Sequence, residues 1–278
     1  LVLDDARAYV QNAREAFDLI VYSLLDSHTT HSNFSSIRID NYVYTTEAIE
    51  AARRLLSPEG VLIVKFQVQR PWIAGRLRDT LTAVFGSEPL QLQGDHSGLT
   101  TSGSFFVTGS QDTIRRALSD ERLVAYIAAR PGIPVESAAP TTDDWPFFYQ
   151  KHPGIPTSVA VISFLILLLS WVTVRNTGLA GRSIRWHFFF LGAGFMLLEA
   201  LIISRMALLF GTTWVVNSVV IGALMLLIVA ANLVGERFPR LPVHLLYLGI
   251  AGSIAVAYAL PLRSLFFASP IARAGAAA

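Results

Sequence analysis

Apolar and polar positions divide this chain into two parts. In residues 1–150, short strand-like runs alternate with stretches in which apolar residues recur at helical spacing, and polar loops separate them. In residues 151–278, apolar residues follow one another in runs of about 20, the length that an α-helix needs to cross a bilayer. The pattern predicts an α/β domain followed by an all-helical transmembrane domain.

In the first part, strand-like and helix-like stretches alternate regularly enough to predict the order of the secondary-structure elements. The expected elements are strand 1–4, helix 6–14, strand 18–23, helix 45–56, turn 57–60, strand 61–66, helix 71–85, an antiparallel hairpin of strands 90–93 and 104–108, and helix 111–129. Thr46 is a candidate cap of the second helix. Strands that alternate with helices pair in parallel, and such sheets bind ligands at the carboxyl ends of their strands.

The second part predicts four membrane spans. Three windows contain no charged residue, namely 153–174, 206–235 and 241–262. A fourth apolar stretch, 186–210, contains Glu199 and Arg205. We expect the spans near residues 156–174, 187–210, 213–234 and 243–262. The predicted boundaries are an α/β domain at 1–130, a linker at 131–152 and a transmembrane domain at 153–278.

The distribution of charge follows the same division. Residues 1–150 carry a net charge of −5, and residues 151–278 carry a net charge of +7. The basic second part is too apolar to indicate nucleic acid as a partner, and its arginines lie between the expected spans, where membrane proteins place them. The lipid bilayer is therefore the expected partner. The absence of cysteine excludes disulfides and thiolate metal sites.

Five motifs, taken in order, resemble the spermidine/spermine synthase family. They are Asp5-Ala6-Arg7, Phe17-Asp18-Leu19-Ile20-Val21, Asp26, Tyr44-Thr45-x-Glu47 and Leu55-Leu56-x-Pro58-x-Gly60-Val61-Leu62. The resemblance covers residues 1–66 and implies a partial Rossmann-like fold, that of S-adenosylmethionine-dependent methyltransferases. The later motif Asp143-Asp144-Trp145-Pro146-Phe147 and the stretch 191–199 are similar to large bacterial membrane proteins that join such a domain to hydrophobic spans. The resemblance implies a place in the bacterial inner membrane.

The resemblance also implies that this chain holds the C-terminal half of the domain. The Gly-rich first turn of the family and the acidic residue that grips the ribose have no counterpart in these 278 residues. The missing N-terminal part of the same chain is therefore an expected partner, and we expect the fragment alone to bind adenosyl cofactors poorly. Asp5 matches the residue that the family places near the adenine amino group, and Ala6 leaves room for the ring. From the residues alone, Asp5 is equally a simple helix cap.

The candidate catalytic residues follow the strand at 18–23. The family places a general base five residues after Asp18, and three residues further on a second Asp that helps to bind the amine. These positions hold Ser23 and Asp26, so a serine replaces the base. Loss of a positioned general base costs about a hundredfold to ten-thousandfold in rate. Tyr44 matches a substrate-contact position, with packing in the core as the alternative.

A metal site in the same loop is not expected. Asp26, His28 and His31 come from one loop without further ligands, whereas a metal site needs three or four convergent ligands with outer support. These side chains favour a solvated loop over the pocket.

Three functions agree with these residues. The first is transfer of an aminopropyl or related group from decarboxylated S-adenosylmethionine to a small amine, and the second is methyl transfer from S-adenosylmethionine. The third is a non-enzymatic transporter or sensor with a relic nucleoside-binding domain. Ser23 favours the second and third functions, whereas Asp26 and Tyr44 favour the first. If the chain belongs to an enzyme, the enzyme is a transferase.

Glu199 and Arg205 are the charged residues of the second expected span. An ionised side chain at the centre of a bilayer costs about 2.5–3.5 kcal/mol on insertion scales, so we expect Glu199 to face other helices or to be protonated. Residues six positions apart are not neighbours on one helix face, so each needs another partner. A cytosolic cofactor would place the α/β domain in the cytoplasm, whereas the distribution of arginines mildly favours the opposite orientation.

Overall fold

The computed structural model describes residues 5–23, 25, 39–68, 70–94, 103–176, 186–210, 214–238 and 242–259. These residues fall into two compact units, the first formed by Tyr9–Arg185 and the second by Leu1–Ala8 together with Trp186–Ala278. The first unit contains a four-stranded sheet with helices, and the second consists mainly of long helices. At this level, the expected combination of an α/β part and a helical part is confirmed.

The sheet is mixed, with the strand order β1-β2-β4-β3. Its strands are β1 Phe17–Ser23, β2 Leu56–Phe66, β3 Leu90–Gln93 and β4 Ser104–Gly109. β1 and β2 run parallel, and the chain between them forms a helical crossover, which parallel strands require. β4 is antiparallel to β2 and to β3. The expected hairpin of β3 and β4 is therefore present. Its second strand, β4, pairs with β2 and so attaches the hairpin to the parallel pair.

Five helices accompany the sheet in the described residues before position 130. They are α1 Ala6–Asn12, α2 Thr46–Arg54, α3 Pro71–Phe85, α4 Gln111–Ala117 and α5 Glu121–Ala128, and a 3₁₀ turn, Ile39–Tyr44, precedes α2. The residues at the two ends of α3 explain where this helix begins and ends. Proline suits the first turn of a helix, and Gly86 ends the helix at φ 77°, a left-handed conformation that glycine adopts without strain.

Three details differ from the expectation. The segment 57–60 belongs to β2 and is accommodated by a register shift against β1, so it is not a separate turn. The N-cap of α2 is Thr45, whose hydroxyl accepts a hydrogen bond from the Ala48 N–H at 3.3 Å. The helix expected over 111–129 is broken, because Asp120 caps α5 by accepting from the Arg122 N–H at 2.8 Å.

One face of the sheet carries the core. Leu62, Val64 and Phe66 alternate along β2 on the side of α2 and α3, and each is at most 1% exposed. The ring of Phe66 packs against Tyr44 and Phe148, with centroid separations of 5.1 and 5.2 Å. The other residues of β2 face the opposite side of the sheet, where α4 packs against β2 and β4.

Residues 131–151, most of the expected linker, run across α3 and are called the strap below. Gly75 permits this close approach, because a Cβ at that position would lie 1.8 Å from the carbonyl oxygen of Glu136. One turn further along α3, Asp79 accepts hydrogen bonds from the Ser137 hydroxyl at 2.5 Å and the Ala138 N–H at 3.2 Å. Burial alone would raise the pKa of Asp79, but these hydrogen bonds and Arg78 lower it below its usual value.

Four long apolar helices follow the strap within the ranges that the structure describes. They are α6 Thr157–Asn176, α7 Trp186–Phe210, α8 Trp214–Arg237 and α9 Val243–Ala259. In the described part of the chain, α6 and the Val220–Arg237 segment of α8 are long and apolar enough to cross a membrane, with mean hydropathies of 2.3 and 1.8. The apolar segments of α7 and α9 are shorter, Phe188–Ile203 and Tyr247–Val256. All four expected helices are present, whereas four spans stay a prediction.

Candidate functional site

β1 and β2 end side by side, and the chain that follows β1 returns to this edge of the sheet. Ser23 is in register with Lys65, next to Phe66 at the end of β2. Tyr44, the last residue of the 3₁₀ turn, packs edge-to-face against Phe66. Because α2 starts directly after this contact, the motif Tyr44-Thr45-x-Glu47 lies at the carboxyl edge of the two parallel strands. In open parallel α/β sheets, the corresponding edge is where ligands bind.

The strap meets the same motif through hydrogen bonds. The Thr45 hydroxyl donates to Asp143 Oδ1 at 2.8 Å, and the Asp143 N–H donates to Glu47 Oε2 at 3.0 Å. The Thr46 N–H donates to the Thr141 carbonyl at 2.9 Å. Asp143 thus lies at the N-terminus of α2, where the helix dipole stabilises a carboxylate. Two motifs nearly a hundred residues apart in the chain form one hydrogen-bonded group.

The electrostatic environment of this group is acidic. Tyr42 precedes the motif, and its phenol is partly buried. Burial raises the pKa of Tyr42, and the charges of Asp143 and Asp144 raise it further. The negative potential that disfavours a phenolate here would favour a cation.

The raised pKa of Tyr42 predicts a difference at alkaline pH. An unfolded chain ionises this phenol near its ordinary pKa of 10.0, whereas the folded protein keeps it neutral to higher pH. The neutral phenol of Tyr42 therefore contributes its full stabilisation below pH 10.0, and this contribution is lost as the pH rises through the pKa that Tyr42 has in the folded protein. Tyr42→Phe should consequently lose less stability than the native protein on alkaline titration.

Ultraviolet difference absorbance of the phenolate, followed during the same titration, checks this prediction. Tyr42→Phe should remove a component that ionises above pH 10.0, and Asp144→Asn should move that component to lower pH, because Asp144 is exposed and acts on Tyr42 through its charge. A titration curve that Asp144→Asn leaves unchanged would contradict the electrostatic explanation.

The expected site residues are found in different settings. Ser23 is exposed at the end of β1, whereas Tyr44 is only 2% exposed, with its ring in the aromatic core. Asp26 lies outside the described residues. Asp5 caps α1 by accepting from the Ala8 N–H at 3.0 Å, and Ala6 is the first residue of that helix. The structure thus gives Asp5 a capping contact and Tyr44 a packing contact.

The charged residues of the second expected span both lie in α7. Glu199 is half-buried, and the side chain of Arg205 lies outside the described residues. Asp5 and Ala6 belong to the same compact unit as α7, whereas Ser23 and Tyr44 belong to the unit that contains the sheet.

Arg76 is a buried cation that the sequence analysis did not single out. It is fully buried and donates hydrogen bonds to strap carbonyls, among them Ala139 at 2.8 Å, Gln150 at 2.9 Å and Lys151 at 3.0 Å. Its guanidinium also lies 5.1 Å from the ring of Trp72 and 5.2 Å from that of Trp145. Burial lowers the pKa of Arg76 to about 10, so the group stays charged at neutral pH. The signal available in the sequence was its spacing, because Arg76 follows Ile73 by three residues and so falls on the apolar face of α3.

Metal binding finds no support in the described residues, where no three His, Asp or Glu side chains come together in a way that could hold an ion. The loop with Asp26, His28 and His31 lies outside them. No protein-family model matches the chain, and no curated protein matches its sequence.

Proposed function

We propose that this chain belongs to a membrane-bound, spermidine-synthase-like transferase. Its α/β domain, which we propose to be Rossmann-like, would transfer an aminopropyl or related group from an adenosyl cofactor to a small amine. The co-substrate would be decarboxylated S-adenosylmethionine, and an N-terminal half of the domain would complete the cofactor site. The helices from α6 onward would hold the protein in the bacterial inner membrane, with the α/β domain in the cytoplasm.

One observation carries the proposal. The hydrogen bond from Asp143 to Glu47 joins one of the five motifs of the family resemblance to the later motif that begins at Asp143, and it joins them at the carboxyl edge of the parallel strands. Each motif alone is a weak indication, since short matches occur by chance. Their convergence at the edge where ligands bind supports a common functional role.

The proposed amine agrees with the charge of this edge. Asp143 and Asp144 produce the negative potential that Tyr42 reports, and a polyamine or another alkylammonium ion would be attracted to it. Asp26 is the proposed amine-binding carboxylate by virtue of the family resemblance. Asp5 and Ala6 are the proposed contacts of the adenine ring, also by virtue of the family resemblance.

A second candidate function, methyl transfer from S-adenosylmethionine, is favoured by Ser23. A hydroxyl at the end of β1 takes the place of the family's general base, and a serine is a poor acceptor for the proton of an ammonium group. Methyl transfer to an acceptor that is already nucleophilic does not need such a base. The two functions differ in their cofactor.

Calorimetric titration of the detergent-solubilised full-length protein with S-adenosylmethionine and with its decarboxylated form tests the proposal. Tighter binding of the decarboxylated form is the result expected for aminopropyl transfer. Tighter binding of S-adenosylmethionine would shift the assignment to methyl transfer. Binding of neither compound would overturn both assignments and would leave a transporter or sensor with a relic domain.

Ser23→Asp provides a functional prediction. If the pocket is otherwise complete, restoring a carboxylate at this position should raise the rate of aminopropyl transfer by about a hundredfold, the lower end of the usual contribution of a general base. Product formation from decarboxylated S-adenosylmethionine and a polyamine is the measurement. Ser119→Asp, which adds the same charge at an exposed position between α4 and α5, is the matched control and should leave the rate unchanged. No gain in Ser23→Asp would count against aminopropyl transfer.

A further inference from the structure

The carboxylates that give the site its negative potential lie in a loop that one side chain closes at its base. Residues 139–148 of the strap are called the acidic loop below. Arg76 donates from Nε to the carbonyl of Ala139 at 2.8 Å and from Nη1 to the carbonyl of Phe148. A single guanidinium therefore joins the first residue of the acidic loop to the last, as the close ends of a compact Ω-loop require.

Asp143 and Asp144 occupy a tight turn within the acidic loop. The N–H of Thr142 donates to the carbonyl of Trp145 at 3.3 Å, and the N–H of Trp145 donates to the carbonyl of Thr142 at 3.0 Å. The Cζ atom of Arg76 lies 5.2 Å from the ring centroid of Trp145. Because the two reciprocal hydrogen bonds fix the turn, a shift of Trp145 would carry both carboxylates with it.

The strap depends on Arg76 for the hydrogen bonds of its carbonyls. Arg76 is fully buried, and the carbonyls of Gln150 and Lys151 also accept from it, at 2.9 and 3.0 Å. A buried carbonyl that loses its donor is unfavourable, so without the guanidinium the strap would move to where water reaches these groups. The acidic loop would then leave the N-terminus of α2, where Asp143 accepts from the Thr45 hydroxyl.

We propose that Arg76 is a positioning residue of the proposed amine site, which holds Asp143 and Asp144 at the N-terminus of α2. The inference rests on the proposed function for the identity of the amine, whereas the geometry of the acidic loop does not depend on it. Arg76 would act through the strap and not by contact, because its positive charge would repel an alkylammonium ion. The amine and the docked strap would consequently stabilise each other.

Tyr42 provides a readout of the position of the acidic loop. Burial raises the pKa of its phenol, and the charges of Asp143 and Asp144 raise it further. Replacement of Tyr42 by difluorotyrosine moves the ionisation towards neutral pH, well below the pKa of about 10 of Arg76, so that Arg76 stays charged during the titration. Fluorine NMR of the full chain in nanodiscs follows this ionisation.

Arg76→Met should lower the pKa of the fluorinated phenol, because the strap and its carboxylates would move away from position 42. The sign identifies the cause, since removal of a positive charge alone would disfavour the phenolate and raise the pKa. Arg53→Met is the matched control. Arg53 is a cation of α2 that donates to the carbonyl of Val84 on α3, and its removal should not lower the pKa.

A double-mutant cycle separates the carboxylates from the loss of burial. Asp144→Asn should lower the pKa at position 42 in the otherwise native protein, and it should lower it less in Arg76→Met, because a displaced carboxylate no longer acts on the phenol. Equal effects in the two backgrounds would show that the acidic loop stays in place without Arg76.

Arg76→Lys separates position from charge. Lysine keeps the positive charge but has fewer donors than a guanidinium and cannot serve all the strap carbonyls that accept from Arg76. The pKa at position 42 should therefore lie between that of the native protein and that of Arg76→Met. If Arg76→Met does not fold, Arg76→Lys decides the question, since the charge is unchanged in that variant.

Calorimetric titration with spermidine connects the acidic loop to the proposed function. Arg76→Met should weaken the binding of spermidine by about tenfold, which lies within the usual range of a coupling between two sites, and Arg53→Met should leave it unchanged. An unchanged affinity in Arg76→Met would overturn the role of Arg76 at the amine site.

The two measurements fail separately. A pKa at position 42 that Arg76→Met raises or leaves unchanged would overturn the positioning role, whatever the protein binds. If spermidine does not bind to the native protein, the proposed amine falls, and the fluorine titration alone decides whether Arg76 positions the acidic loop.

Discussion

Replacing Arg76 with methionine should lower the free energy of opening the strap by about 3 kcal/mol or more, because several carbonyls would lose their donor and each buried group left unsatisfied costs about 1–3 kcal/mol. Methionine preserves much of the side-chain volume but cannot donate to the carbonyls of Ala139, Gln150 and Lys151, which would lose their partner. The stacking on Trp72 and Trp145 would also be weakened. The effect should be largest in α3 and the strap.

Hydrogen exchange of the full chain, read from peptides of residues 70–85 and 136–151, measures this opening directly. A loss of that size accelerates exchange in these peptides by at least a hundredfold, since each 1.4 kcal/mol is a factor of ten. Arg115→Met is the matched control, because Arg115 makes an exposed ion pair with Asp112 and should contribute less than about 1 kcal/mol. Equal exchange in the two variants would show that Arg76 does not hold the strap.

Gly75→Ala is expected to destabilise the protein although alanine is the better helix former. In an exposed helix, the exchange of glycine for alanine gains about 1 kcal/mol. At position 75 the new Cβ would lie 1.8 Å from the Glu136 oxygen and 2.5 Å from the Glu136 carbonyl carbon, which are backbone atoms and cannot rotate away. We expect a net loss of about 1–3 kcal/mol, the typical cost of overpacking, because the strap must move off α3.

The reciprocal substitution on the same helix separates packing from helix propensity. Ala83 is exposed on α3, so Ala83→Gly should cost about 1 kcal/mol through propensity alone, without affecting the strap. Urea titration followed by tryptophan fluorescence compares the two variants, since Trp72 and Trp145 report on the contact between α3 and the strap. A stabilised Gly75→Ala protein would contradict the close approach of the strap.

Local patterns predicted much of the sheet and its helices, since they depend on nearby residues. β1, the second half of β2, α3 and the hairpin all carry strong apolar periodicity or clear end signals. The break between α4 and α5 was missed because apolar spacing continues through it, while the cap at Asp120 depends on a single side chain. The insertion of β4 beside β2 depends on long-range pairing that no local pattern specifies.

The candidate site was predictable only in part. Ser23 and Tyr44 were found from the order of the motifs. The burial of Tyr44, however, depends on Phe66 and on Phe148, which lies in the strap and is distant from Tyr44 in the chain. The role of Asp143 beside Glu47 could not be derived from spacing, because almost a hundred residues separate them. Arg76 was missed for the same reason, since its partners are backbone carbonyls and any residue can provide those.

The strap also sets a mechanical limit on the α/β domain. Arg76 holds the carbonyl of Lys151, and α6 begins at Thr157, so only residues 152–156 lie between a rigid anchor and an apolar helix. A chain of this length spans at most about 20 Å. With α6 in a bilayer, this short connection would keep the carboxyl edge of the sheet within a thin layer of solution next to the lipid headgroups. Molecules concentrated in that layer would meet it at a far higher effective concentration than those in the bulk.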